Sequence, residues 1–208
     1  MPALIALLLL SLPLLAQYQG KPAAAPPESL NAATRALLSD SGMQVVNAKG
    51  ETAMQFWFRK EAPEKAPQGE SNATLSDYAH GVFLGVVQVT GEQISDRRGD
   101  RIAPGLYMLR LSFHPEDGAH QGVATQRDFL ILTKADTDTD PAATPAFMPL
   151  MKMAQAASGT NHPLSLSCWQ QDNEFTAGLA KHGESDFVLQ TKVGDLPLAI
   201  IVIGRHEG

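Results

Sequence analysis

The segment His114-Pro115-Glu116-Asp117-Gly118-Ala119-His120-Gln121-Gly122 gathers imidazole, carboxylate and turn-forming residues into one short stretch. Pro115 to Gly118 has the residue order of a tight turn, which folds the chain back and can bring His114, Asp117 and His120 together. Such a set suits a divalent ion such as zinc or copper, with a third imidazole available from His162 in Gly159-Thr160-Asn161-His162-Pro163. The spacing matches no established metal motif, however, and a surface hairpin uses the same residues without any ligand. No cofactor is therefore the leading expectation, and zinc or copper on His114, Asp117, His120 and His162 is the alternative.

Arg127-Asp128 follows this loop at the entrance to the next apolar run. A charged pair there either orients a polar ligand or fixes the loop as a salt bridge, and the second use is the commoner. The residues expected to meet a ligand are accordingly Asp117, His120, Arg127, Asp128 and His162, with no catalytic residue assigned.

Other groups read as structural. Met148, Met151 and Met153 would suit copper(I), yet Met151 shares an apolar face with Leu150, so core filling is the better use. Asp136 to Asp140 alternates with Thr but lacks the glycine and glutamate of a calcium loop, and reads as a solvated acidic loop. Cys168 alternates with Leu164 and Leu166 on an apolar strand face, and as the single cysteine it excludes any internal disulfide or multi-cysteine zinc site. Gly-x-Ser-x-Gly, His-Glu-x-x-His and a phosphate-cradling glycine loop are all missing, so the sequence leans away from an enzyme. Ser158-Gly159 reads as a helix stop.

These residues need strands to position them. Met43 to Asn47 and Thr52 to Arg59 flank Lys49-Gly50 as a hairpin, with Met54, Phe56 and Phe58 on one face. Val82 to Val89, Leu106 to Phe113 and Asp128 to Thr133 are the expected heart of the sheet, and Leu164 to Trp169, Asp186 to Val193 and Leu198 to Gly204 complete it, the last strand being apolar on both faces and therefore central. Leu30 to Leu38 is a short helix or an extended lead-in. Phe147, Leu150, Met151 and Ala154 fall at helical spacing in a helix over Pro145 to Ala157, with Thr144 available as its cap. The expected fold is mostly β, an antiparallel β-sandwich or open barrel of about eight strands with one short α-helix.

At the N-terminus, the uncharged apolar run Ala3 to Ala16 is too short to span a bilayer and reads as a signal peptide. The expected organisation is a signal peptide over residues 1–16, an Ala/Pro-rich spacer over 17–29 and a single β-rich domain over 30–208. The protein is then periplasmic or extracellular, without a transmembrane segment after processing. A net charge of −6 argues against nucleic acid as a partner.

The order Pro104-Gly105-Leu106-Tyr107-Met108-Leu109-Arg110, Pro115 to Gly122, Arg127-Asp128-Phe129-Leu130 and Ser158 to Pro163 resembles an uncharacterised family of secreted bacterial β-sandwich proteins, over roughly residues 80 to 165. That family has no established activity, so the resemblance implies no catalytic role. The Pro-Gly-x-Tyr strand entrance is also similar to those of transthyretin-like modules, an analogy of fold alone. The expected function is an extracytoplasmic binding or accessory module that meets an unknown protein or small ligand of the cell envelope through loops at one end; the alternative is a metal-binding protein or metalloenzyme.

Overall fold

The computed structural model describes residues 18–67, 69–115, 127–171 and 175–204. In these, ten strands run β1 (Gln19–Ala23), β2 (Gly42–Val46), β3 (Thr52–Phe58), β4 (Phe83–Val89), β5 (Gly105–Phe113), β6 (Asp128–Lys134), β7 (Ser165–Gln170), β8 (Gly178–His182), β9 (Asp186–Val193) and β10 (Leu196–Ile203). Helix α1 (Ala32–Leu37) lies between β1 and β2, and α2 (Phe147–Ser158) between β6 and β7. Every pairing is antiparallel, in the order β1-β2-β3-β4-β5-β6-β7-β10-β9-β8. The fold is thus mostly β and, of the two expected architectures, the open barrel. The last four strands form a Greek key, because β7 passes over β10 and β9 before β8 begins.

Period-two alternation decides what fills the barrel. Tyr107, Leu109, Leu111 and Phe113 of β5, Phe56 and Phe58 of β3, and Leu198, Ile200 and Val202 of β10 all enter one buried cluster that occupies the interior. Each such side chain contributes about 1.5–3 kcal/mol by leaving water. Strand β10 lies between β7 and β9 and is apolar on both faces because Leu198, Ile200 and Val202 are buried in the interior and Ala199 and Ile201 are buried with Val188 on the other side. Excursions from the sheet cap the barrel. Ile94 and Ile102 of the β4–β5 connection close the end carrying the β2–β3 and β8–β9 turns, whereas Leu75 and Tyr78 of the β3–β4 connection close the opposite end.

The outer face carries the helices. Leu30 and Leu38, flanking α1, cover Trp57, Phe83, Val86 and Met108, while Leu150, Met151 and Ala154 of α2 cover Phe129 and Ile131. Asn31 caps α1 through a 2.8 Å bond from the Thr34 N–H. Thr144 does not cap α2: the cap is Ala146, without a side-chain bond, and Pro149 falls in the first turn, where no amide donor is needed. Gly159 ends α2 in the left-handed region at φ 73°, as the helix-stop reading requires.

Three details go beyond the expected layout. Within the expected spacer, Gln19–Ala23 pairs along the whole of β2 and the Ala24 carbonyl accepts the Trp57 indole N–H at 2.7 Å. Strand β8 lacks the long apolar pattern that betrays a strand, and brings the number in the described residues to ten. The Asp136–Asp140 loop is not wholly solvated: Asp138 is buried and paired with Arg110 on the outer face of β5.

Candidate functional site

The antiparallel register brings the ends of β3, β5, β7 and β9 to one rim of the barrel, together with the starts of β4, β6, β8 and β10. His114 and Arg127, which flank the β5–β6 connection, therefore sit on this rim, as does the β3–β4 connection.

His114 and Arg127 extend the β5–β6 ladder by one step. The His114 amide donates to the Arg127 carbonyl at 2.9 Å, and Arg127 Nε donates to the His114 carbonyl at 2.5 Å. The His114 ring stacks on Phe129, with centroids 4.2 Å apart and planes inclined by 27°. Asp117 and His120 lie outside the described residues.

Arg127 and Asp128 both hold the neighbouring loop. Arg127 Nη2 meets the Glu70 carboxylate at 2.9 Å and Nη1 donates to the Ser71 carbonyl at 3.1 Å. Asp128, 2% exposed, accepts from the Thr74 amide at 2.8 Å, the Thr74 hydroxyl at 3.1 Å and the Leu75 amide at 2.7 Å. The Asp128 carboxylate thereby acts as a side-chain cap for the 72–75 turn, in which Asn72 takes a positive φ of 53°.

His162 is exposed and its amide donates to Thr160 Oγ1 at 3.0 Å. It precedes the bond from the Leu132 amide to the Leu164 carbonyl, at the opposite end of β6 from His114. By strand rise, the seven residues separating the Arg127 and Lys134 levels span about 23 Å, far beyond two imidazole–metal bonds of about 2 Å each. The fold thus does not bring His114 and His162 together. Among the described residues no group of three His, Cys, Asp or Glu side chains is arranged to hold a metal ion.

On the outer face beside His114, Ser112 Oγ lies 3.2 Å from His80 Nδ1, and the His80 ring meets Phe147 of α2 at 5.7 Å. Nε2 of His80 is buried without a hydrogen-bond partner. Burial pushes the His80 pKa down, against the opposing influence of the Glu70 charge and the Ala146 backbone. Ser112 is fully buried, so this serine–histidine pair offers no nucleophile to a substrate.

The same rim carries a feature that no motif signals. Strands β1 and β8 are the two edges of the sheet; Gly20 of β1 lies against Leu179 of β8, and Tyr18 meets Phe187 edge-on at 5.3 Å. Nearer the rim a cleft of about 300 Å³ separates β2 and β3 from β9 and the approach to β8. Met43, Phe56 and Phe58 form its floor, the two phenyl rings stacked 6.0 Å apart at 6°. Ser39 and Ser41 stand on one side, and Phe175, Gln190, Thr191 and Lys192 on the other.

No family model, curated protein or solved structure matches this chain. Function is therefore argued from the site itself. Two larger clefts mix charges of both signs: one of about 360 Å³ has Lys134 and Asp136 in its lining, and one of about 450 Å³ has Lys49, Glu51 and Glu92. Of these three, the cleft between β2 and β9 alone combines core aromatic side chains with, among the described residues, charge of a single sign, that of Lys192. The alternation of Met54, Phe56 and Phe58 shows that β3 has an inner face, but nothing in the sequence shows that the barrel stays open beside it.

Proposed function

We propose that this protein is an extracytoplasmic binding module, not an enzyme, that takes a small ligand at one rim of its barrel. The observation that carries the reading is the cleft where the sheet fails to close, with an apolar floor and a polar margin, the usual composition of a small-molecule site. The apolar run Ala3 to Ala16 supports the extracytoplasmic address. The sealed Ser112–His80 pair and the loop-fastening roles of Arg127 and Asp128 favour binding over catalysis.

Amide-resolved NMR with a mixture of small aromatic and aliphatic fragments tests the site. Shifts should gather on Ser41, Met43 and Gln190 to Lys192, and should vanish when exposed Ser41 is replaced by a plugging residue in Ser41→Trp. Shifts confined to Asn47–Thr52 or Pro104–Tyr107, or no shifts at all, would overturn it. Expression in a bacterial host followed by N-terminal sequencing tests the address: a new terminus close to Gln17 supports export, and an intact Met1 in the cytoplasm removes it.

A further inference from the structure

We infer that the cleft between β2 and β9 selects a small apolar carboxylate, held with its ring against the aromatic floor and its anion at Lys192. This rests on the reading of that cleft as a binding site.

Charge gives the first argument. The chain carries a net charge of −6, so its general field repels anions, yet among the described residues the only charged side chain lining this cleft is the Lys192 ammonium. Lys192 is exposed and makes no salt bridge among the described residues. Its Nζ lies 5.3 Å from the centroid of the Phe175 ring, a cation–π contact that keeps the ammonium at the margin instead of free in solvent. The cation is therefore already positioned, and an arriving carboxylate need not order a long side chain.

Polarity along the cleft gives the second. The floor is the partly exposed Met43 with the buried Phe56 and Phe58 beneath it, side chains without a strong hydrogen-bonding group, so the inner part of a ligand must be apolar. Donors gather at the margin: the hydroxyls of Ser39 and Ser41 on one side and, on the other, the Gln190 amide, whose Oε1 accepts the Thr176 amide at 3.3 Å and whose NH2 group remains a donor. Donors and a cation around an apolar well match a ligand with one anionic end. Size gives the third argument. A volume of about 300 Å³ is at the small limit of ligand pockets, which suits one or two fused rings better than a long acyl chain.

The probes are 2-naphthoate and 2-naphthamide, which share ring and shape and differ in charge. Titration followed by NMR should show the carboxylate binding about fivefold more tightly than the amide, the scale of a partly exposed ion pair, with the preference shrinking as salt is added. Lys192→Met should bring the two affinities together, and Lys192→Arg should keep them apart. Equal binding of both probes to the unaltered protein, with shifts at Met43 and Gln190, would overturn the anion selectivity and leave the binding cleft standing. Binding of neither would remove both.

Discussion

Arg110 and Asp138 meet fork to fork beneath the surface, with Nε 2.6 Å from Oδ2 and Nη2 2.7 Å from Oδ1. The remaining guanidinium hydrogens reach the carbonyls of Gly81 at 2.9 Å, Ala143 at 2.6 Å and Asp140 at 2.7 Å, so all five donors are used. Thr133 Oγ1 donates to Asp138 Oδ2 as well. A charge at the middle of β5 is tolerated because this pairing replaces the water it loses, and it fastens the chain leading into α2 onto the barrel wall.

Asp138→Ala should cost about 3–5 kcal/mol, because it leaves the buried guanidinium without a counter-charge. The double variant Arg110→Met with Asp138→Leu should regain part of that loss. Urea denaturation of the three proteins measures it, and a single-variant cost below about 1 kcal/mol would show that the pair contributes little.

The Asp128 carboxylate holds the β3–β4 connection through two amides and a hydroxyl. Asp128→Ala should destabilise by about 2–3 kcal/mol, since hydrogen bonds to a charged group exceed the ordinary net value and the Leu75 amide has no water to turn to. Asp128→Asn should fall between. Limited proteolysis should also begin within residues 60–74 in the Ala variant, and an unchanged cleavage pattern would mean that the loop is held by Arg127 and Tyr78 instead.

The fold was largely legible because its strongest strands obey simple periods. Tyr107 to Phe113 and Met54 to Phe58 place alternate side chains inward, and Ile200 to Val202 is apolar on both faces because β10 buries side chains on both. Gln19–Ala23 escaped notice because its Lys-Pro-Ala composition belongs to an edge, where a proline breaks no ladder on the open side. Gly178–His182 escaped for the same reason: an edge strand with exposed residues shows no apolar period. His114 and Arg127 stand on the rim that carries the cleft, but the cleft itself has no local signal in the sequence. Ser39, Phe56, Phe175 and Lys192 are far apart in the chain, and their meeting depends on how the sheet closes, a property that no local pattern encodes.

Cys168 should be silent in the folded protein. It is fully buried in the barrel, and burial, with the Asp128 charge adding to it, pushes its thiol pKa well above the ordinary value. The thiolate is the reactive form, so a disulfide reagent such as Ellman's reagent should label less than a tenth of the native protein over an hour and one full equivalent after denaturation. Rapid labelling under native conditions would show that β7 opens readily.

Acid should weaken the hold of α2 on the barrel wall through His80. Its pKa lies below the ordinary imidazole value of about 6.5 in the folded protein, chiefly because burial disfavours the imidazolium. The unfolded chain therefore binds the proton first as the pH falls, so the stability that comes from keeping His80 neutral is complete above about pH 6.5 and declines below it until the folded pKa is passed. Charging the ring sets a cation against the Phe147 ring and the Ser112 hydroxyl, with the Glu70 carboxylate, already engaged by Arg127, as the acid that opposes the burial. His80→Gln removes the titrating group and should lose stability at pH 7.5 by about 1 kcal/mol, the scale of one hydrogen bond, while losing less than the unaltered protein between pH 7 and pH 5.5. Thermal unfolding of both proteins across that interval measures the slope. Parallel melting curves would show that other groups, not His80, set the acid limb.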